Sequence, residues 1–258
     1  MEGLEYWQYA AIALLFVWSG FVRSALGFGG AVLTLPFLLM VYNAPLVFLP
    51  IISVHLLLFS LLTVVQSHLR TVKQEETDQG GTVNWGFLRY ALPLMIVPKL
   101  IGVAGVITLP ADIVSGFIFI VVSVYAVTYI LDRPFKSKSK SLDAFFLLLG
   151  GYVSGTSLIA APLVVPVAAS RMEKYQLRDT LFVLWFVLVG IKLVAFMLGG
   201  VDLQWQQHLW LLPCATIGHV IGLRFHSYTL RADTKVFFRM LGVGLLLVSL
   251  AGILRLLW

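Results

Sequence analysis

The sequence is short of charge: only 12% of its 258 residues are Asp, Glu, Lys or Arg, where a soluble domain carries about 25%. It has one cysteine, Cys214, which excludes an internal disulfide and leaves no partner for a cysteine-built metal site. It lacks a P-loop or any other nucleotide-binding pattern, so ATP is not implied. Its 12 acidic residues all lie in termini, loops or the ends of apolar runs, which argues against a cation or proton pump built on embedded carboxylates. The opening Met-Glu-Gly-Leu-Glu has none of the basic residues that begin a signal peptide, so the first apolar run is expected to stay in the mature protein.

What the sequence has in excess is apolar surface. Hydrophobic residues make up 60% of it and its mean hydropathy is +0.95. A soluble core of this length cannot hide so much, and apolar runs of about 20 residues recur along the chain. A soluble enzyme, a secreted disulfide scaffold and a nucleic-acid binder are excluded. The fold class expected is an all-α polytopic membrane protein. The net charge of +6, 18 basic minus 12 acidic residues, then reflects bilayer topology, because cytoplasmic loops collect Lys and Arg.

Eight apolar blocks stand out: 7–42, 46–66, 86–108, 112–131, 142–170, 179–200, 207–225 and 236–257. Six have the length of one crossing. Block 7–42, broken around Arg23–Gly30, would as one helix run about 54 Å through a hydrocarbon core of about 30 Å. Block 142–170 is interrupted by Gly150-Gly151 and by Ser154-Gly155-Thr156-Ser157. The basic loops are His68–Lys73, Arg133–Lys140, Arg171–Arg178 and Arg224–Lys235, whereas the links at 43–45, 109–111 and 200–206 have no Lys or Arg. With every basic loop inside, block 142–170 starts and ends inside and block 7–42 starts and ends outside. Both are then re-entrant helical hairpins. Each half, 1–136 and 137–258, is one hairpin plus three crossings, and three is odd, so the halves are expected to be inverted.

Internal similarity supports duplication. Ser24, Leu33 and Pro36 match Ser154, Leu163 and Pro166 at a shift of 130, and Leu92-Pro93 and Lys99–Gly102 match Leu212-Pro213 and His219–Gly222 at a shift of 120. Inverted repeats built on broken helices are a recurring plan of secondary transporters.

These features resemble a known family. Gly27-Phe-Gly-Gly30 followed by Pro36, the duplicated halves, and Gly218-xxx-Gly222-Leu-Arg224 with Phe238-Arg239 resemble the pattern of the sulfite exporter TauE/SafE family over essentially the full length. The resemblance implies a transporter of small sulfur-containing anions or organic acids in the bacterial inner membrane or its equivalents. The chain departs from the pattern at Leu158–Pro162, where a Gly-Gly turn is usual, and at Lys99, where a small or apolar residue is usual.

The embedded ionisable residues are Arg23, Lys99, Lys192, His55 and His219. A Lys or Arg at a helix centre costs about 2.5–3.5 kcal/mol on insertion scales. Three without carboxylates imply another negative partner, most simply a transported anion. Lys99 and His219, equivalent in the two halves, are candidate ligand contacts, against a snorkelling lysine and a carbonyl-bonded histidine. Arg23 and Ser24 sit at the first break; Arg23 suits a sulfonate, sulfite or carboxylate or, equally, caps the preceding helix. Gly27, Gly29 and Gly30 around a helix start expected at Gly29–Ala31, and Ser154, Gly155, Thr156 and Ser157 before another at 158–170, offer N–H and hydroxyl donors to an anion; close helix packing is the plainer account of the glycines. His55 and Lys192 are path candidates. His55 is expected to be a hydrogen-bonded interior residue, and Lys192 to lie near the outer end of its block, where snorkelling competes evenly with ligand contact.

The function expected is a secondary transporter, on balance an exporter, of a small anion, with no cofactor or metal. Its neighbours are membrane lipid, including anionic lipid at the basic segment 137–141, and no nucleic acid; a homodimer stays open. The alternatives are an anion channel and, further off, a redox or metal protein using His55 and His219.

Overall fold

The computed structural model describes residues 1, 3–26, 30–73, 82–133, 135–136, 139–229 and 234–258, with the backbone alone at 26, 63–73, 174, 226–229 and 234–238. Gly27, Gly29, most of the 74–84 link and two residues of the 137–141 segment lie outside the described residues. The described chain is helical: α1 Tyr6–Leu26, α2 Leu35–Val41, α3 Pro45–Lys73, α4 Trp85–Thr108, α5 Ala111–Ile130, α6 Lys140–Ser157, α7 Ala161–Arg171, α8 Lys174–Leu198, α9 Trp205–Thr229 and α10 Thr234–Leu257. Five of them, α3, α4, α5, α8 and α10, contain stretches long and apolar enough to cross a membrane. Helix α9, taken as a full crossing in the sequence, is not in that set. It carries Gln206, Gln207, His208, Thr216 and His219 and lies along α1, which holds Ser19, Arg23 and Ser24. The outward surface is apolar, with Leu14, Leu198, Leu209, Met240 and Leu247 all exposed, as lipid contact requires.

Both long blocks are broken, each with a short second limb. Proline sits in the first two positions of α2 and of α7, where its missing N–H is not needed. Helix α6 ends at Leu158, whose φ of 62° is left-handed. A glycine would take that conformation freely; leucine does so at a cost of about 1–2 kcal/mol.

Both blocks also return to their own starting points. Gln8, in the first turn of α1, donates from Nε2 to the carbonyl of Val41 at the end of α2, 3.0 Å away. Arg171, the last residue of α7, pairs with Asp143 in the first turn of α6, its Nε 2.6 Å from Oδ2. The two bases lie at opposite ends of α4. Beside the first, Asn43 donates to Asp112 at the α4–α5 corner (2.7 Å). At the second, the Arg171 guanidinium lies 4.6 Å from the centroid of Tyr90, near the start of α4. Asn84, which caps α4 by accepting from the Phe87 N–H, ties the same end to the start of α8, its own N–H donating to Thr180 (2.8 Å).

The main helix pairs are α1 with α9, α4 with α6, α5 with α10 and α3 with α8. Exchanging α1–α5 for α6–α10 leaves this pairing unchanged. Glycines make the first two contacts close. A Cβ on Gly218 would stand 1.9 Å from the Val17 carbonyl oxygen, and one on Gly155 would stand 2.2 Å from that of Lys99. Backbone therefore lies on backbone in both pairs.

Candidate anion site

The turn after α1 and the α6–α7 turn meet at a small, partly open cavity. It is lined by Gly30–Val32 from the first break, by Ser154, Leu158 and Ala161 from the second, and by residues of α3 and α8. Along α3 its lining runs from Ile52 to Ser60, about 10 to 22 Å from the helix start; along α8 it runs from Phe182 to Val189, about 12 to 22 Å from that start. Since α3 and α8 begin at opposite rims, the cavity is deep from either side.

Its polar wall is Ser19, Arg23, Ser60 and Ser154. Arg23, in the last turn of α1, is 8% exposed. Its guanidinium carbon is 4.3 Å from the centroid of Phe59, and its Nε has no hydrogen-bond partner. Among the described residues no carboxylate pairs with it; the ion pair there is Asp143–Arg171. A buried guanidinium in contact with a ring quadrupole is partly stabilised but keeps donors for a planar or pyramidal oxyanion. The Ser60 hydroxyl is fully buried and likewise unpartnered.

A second, smaller pocket adjoins on the side of the α8 start. Arg23, Ser24, Phe59, Arg178, Phe182, His219 and Leu223 line it, and it shares Arg23 and Phe182 with the first. Here Ser24 Oγ is 2.5 Å from His219 Nδ1 and donates to the Gly20 carbonyl (2.9 Å). The His219 ring also packs on Phe59, 4.8 Å between centroids.

Several candidates take places other than those expected from the sequence. Ser154, Gly155, Thr156 and Ser157 do not precede a helix start; α6 continues through Ser157 and α7 begins at Ala161. Thr156 and Ser157 donate back to the Val153 carbonyl at 3.1 and 2.8 Å, as hydroxyls in a last helical turn do, so of these four only Ser154 lines the cavity. The second limb of the first hairpin begins at Leu35, not at 29–31; Gly30 still borders the cavity.

Lys99 is fully buried but is not on the cavity wall: its Nζ donates to Ser154 Oγ at 2.7 Å and to the Ser154 carbonyl at 3.3 Å. Lys192 is neither peripheral nor snorkelling. It too is fully buried and donates to the Gly155 carbonyl at 2.6 Å. Both lysines therefore hold the carbonyl end of α6, where positive charge is favoured. His55 is buried as expected but without a hydrogen-bond partner on either nitrogen. It packs edge-on against Phe16 and His208 and lines neither pocket, whereas His219 lines the second. Ser19, Ser60, Phe182, Trp185 and Arg178 are lining residues that could not be selected from the sequence: single serines and aromatics in apolar runs carry no spacing signal, and Arg178 reads there as one more charge of a basic loop.

No curated protein and no solved structure matches the chain. A family model, described as sulfite exporter TauE/SafE, matches residues 12–252. The chain belongs to the sulfite exporter TauE/SafE family.

Proposed function

We propose that this protein is a secondary transporter which moves a small oxyanion, of the sulfite, organosulfonate or short organic-acid class, by alternating access around the Arg23 cavity. Membership of the family already makes it a membrane protein of anion transport. The observation that carries the finer proposal is Arg23: a guanidinium 8% exposed, with an unpartnered Nε, facing a cavity between two chain breaks. A charge so placed needs a counter-charge, and a transported anion supplies it. The unpartnered Ser60 hydroxyl adds a donor.

We take the halves 1–136 and 137–258 as inverted repeats. The exchange-symmetric helix pairing and the hairpin bases at opposite ends of α4 support this. Rocking one repeat against the other would open the cavity to alternate sides. The second pocket, with Arg178 and His219 beside Arg23, is the route to the rim of basic loops. An interior-negative potential favours anion exit by about 2.3 kcal/mol per charge per 100 mV, so export needs no coupled ion. The expected location is the bacterial inner membrane, with the basic loops in the cytoplasm.

The test is flux in proteoliposomes. Sulfite or an organosulfonate should enter saturably and be accelerated by the same anion on the far side. Conductance steps in a planar bilayer would make the protein a channel, and absence of flux for sulfite, sulfonates and carboxylates alike would end the proposal.

A further inference from the structure

Four hydroxyl side chains occupy the two helix ends at the breaks, and three of them are committed to their own helix. Ser24 donates to the Gly20 carbonyl, Thr156 to those of Tyr152 and Val153, and Ser157 to that of Val153. Ser154 differs. Its Oγ accepts from Lys99 Nζ at 2.7 Å, and among the described residues its hydrogen is given to no acceptor. Ser154 is also the one of the four on the wall of the larger cavity.

We infer that Lys99 is a positioning residue which acts through Ser154: by donating to the hydroxyl oxygen and the carbonyl of Ser154, it leaves the Ser154 O–H as a donor to the anion in the cavity. Resting on the Arg23 cavity proposed above, this assigns a further donor of that site, beside Arg23 and Ser60, and gives the buried lysine a role one bond removed from the ligand. A serine in a last helical turn ordinarily turns its hydrogen onto a carbonyl of the preceding turn. An ammonium has three donors and no acceptor, so its contact with Oγ fixes the direction of the hydroxyl dipole, oxygen toward lysine and hydrogen away. A neutral amide would not do the same, since it brings an acceptor oxygen and lacks the charge that strengthens the donor hydroxyl.

The neighbouring packing serves the same arrangement. Gly155 and Gly102 let α6 and α4 touch backbone to backbone, each built Cβ meeting the other helix within 2.5 Å, and this brings Lys99 within reach of residue 154. Lys192 holds the next carbonyl, that of Gly155. The site would then favour ligands with an oxygen acceptor facing Ser154 as well as charge facing Arg23, and so distinguish an oxyanion from a halide.

A double-mutant cycle tests this, with sulfite binding measured calorimetrically on purified protein for wild type, Lys99→Met, Ser154→Ala, the double variant and Arg23→Gln. Loss of one hydrogen bond to a charged ligand predicts an affinity about 10-fold weaker for either single change, and a double variant no weaker than either single one. A double variant weakened by the product of the two single effects, or Lys99→Met binding as wild type does, overturns the inference while leaving the cavity intact. Arg23→Gln binding as wild type would instead remove the cavity itself. Should Lys99→Met not fold, nitrogen-15 spectra of lysine-labelled protein carry the test. A buried lysine Nζ resonance should move on sulfite addition in wild type and stay in place in Ser154→Ala, an effect that a purely structural lysine would not show; no movement in wild type at saturation overturns the inference.

Discussion

Ser24 Oγ lies 2.5 Å from Nδ1 of His219, and the matching residues of the other half, Ser154 and Lys99, are bonded in the same way at 2.7 Å. In each case a serine at the end of a hairpin's first limb meets a basic residue from the middle of a helix in the opposite half. The serine pair is separated by 130 residues and the basic pair by 120, and the likeness of the two bonds supports the proposed duplication. The chemistry of the two bonds differs. One bond ends on a lysine sealed from solvent, the other on a histidine that borders a pocket with Arg23 and Arg178.

The first prediction concerns that difference. Ser24 keeps its bond to the Gly20 carbonyl without His219, so His219→Leu should cost about 1 kcal/mol of stability, the worth of one hydrogen bond. His219→Gln, which retains a donor, should cost less. Thermal melts of the purified variants check both. Flux should fall with His219→Leu by less than with Arg23→Gln, because the histidine borders the smaller pocket and not the larger cavity.

Close backbone contact makes Gly155 and Gly218 intolerant of any side chain. Gly155→Val and Gly218→Val should each cost more than the 1–3 kcal/mol typical of an overfilled core, about 3 kcal/mol or beyond, since the obstacle is backbone that cannot step aside. Gly190→Val is the control, for nothing stands within 4 Å of a Cβ there. The yield of monodisperse protein and its melting temperature separate the three.

The base of the second hairpin depends on Asp143, 5% exposed, and Arg171. Asp143→Asn should lower stability by about 1–3 kcal/mol, as expected for losing the charge from a largely buried, charge-assisted bond. Arg171→Gln should add little to it in the double variant, because both changes remove the same interaction. The melting temperatures of the four proteins form the cycle.

Opposed hairpins predict opposed labelling. With Cys214 replaced by serine, a cysteine at Ala111 should react with an impermeant maleimide from the outside of intact cells, whereas one at Lys136 should react only after the membrane is opened. Both positions are exposed. Labelling of both from the same side would contradict the inverted arrangement of the halves.

Much of this architecture was legible in the chain. Blocks 7–42 and 142–170 are too long for one crossing, and the placement of Lys and Arg made each return to its own side; Gln8–Val41 and Asp143–Arg171 are the contacts such a return requires. Arg23 was legible as a candidate because an unpaired arginine in an apolar run is costly wherever it points, and it lines the cavity. The direction in which a buried lysine points was not legible. Lys99 and Lys192 lie in apolar helices with nothing nearby in sequence to show that both reach the end of α6. Nor does Ser154-Gly-Thr-Ser157 reveal where its helix stops. The stop is set by Leu158 in a left-handed conformation, and no glycine or asparagine marks it. Ser60 was invisible for a simpler reason: one serine in an apolar helix is ordinary, and only the cavity beside it gives it meaning.

The measurement that bears most directly on the central claim is sulfite counterflow in proteoliposomes containing wild type, Arg23→Gln or Arg23→Lys, with folding matched by melting temperature. Loss of a buried charged contact to the ligand should lower flux at limiting sulfite by about 100-fold in Arg23→Gln, with partial recovery in Arg23→Lys, which restores the charge but not the two-pronged contact. Flux in Arg23→Gln equal to wild type would contradict the account, since the buried guanidinium between the two breaks would then have no part in carrying the anion.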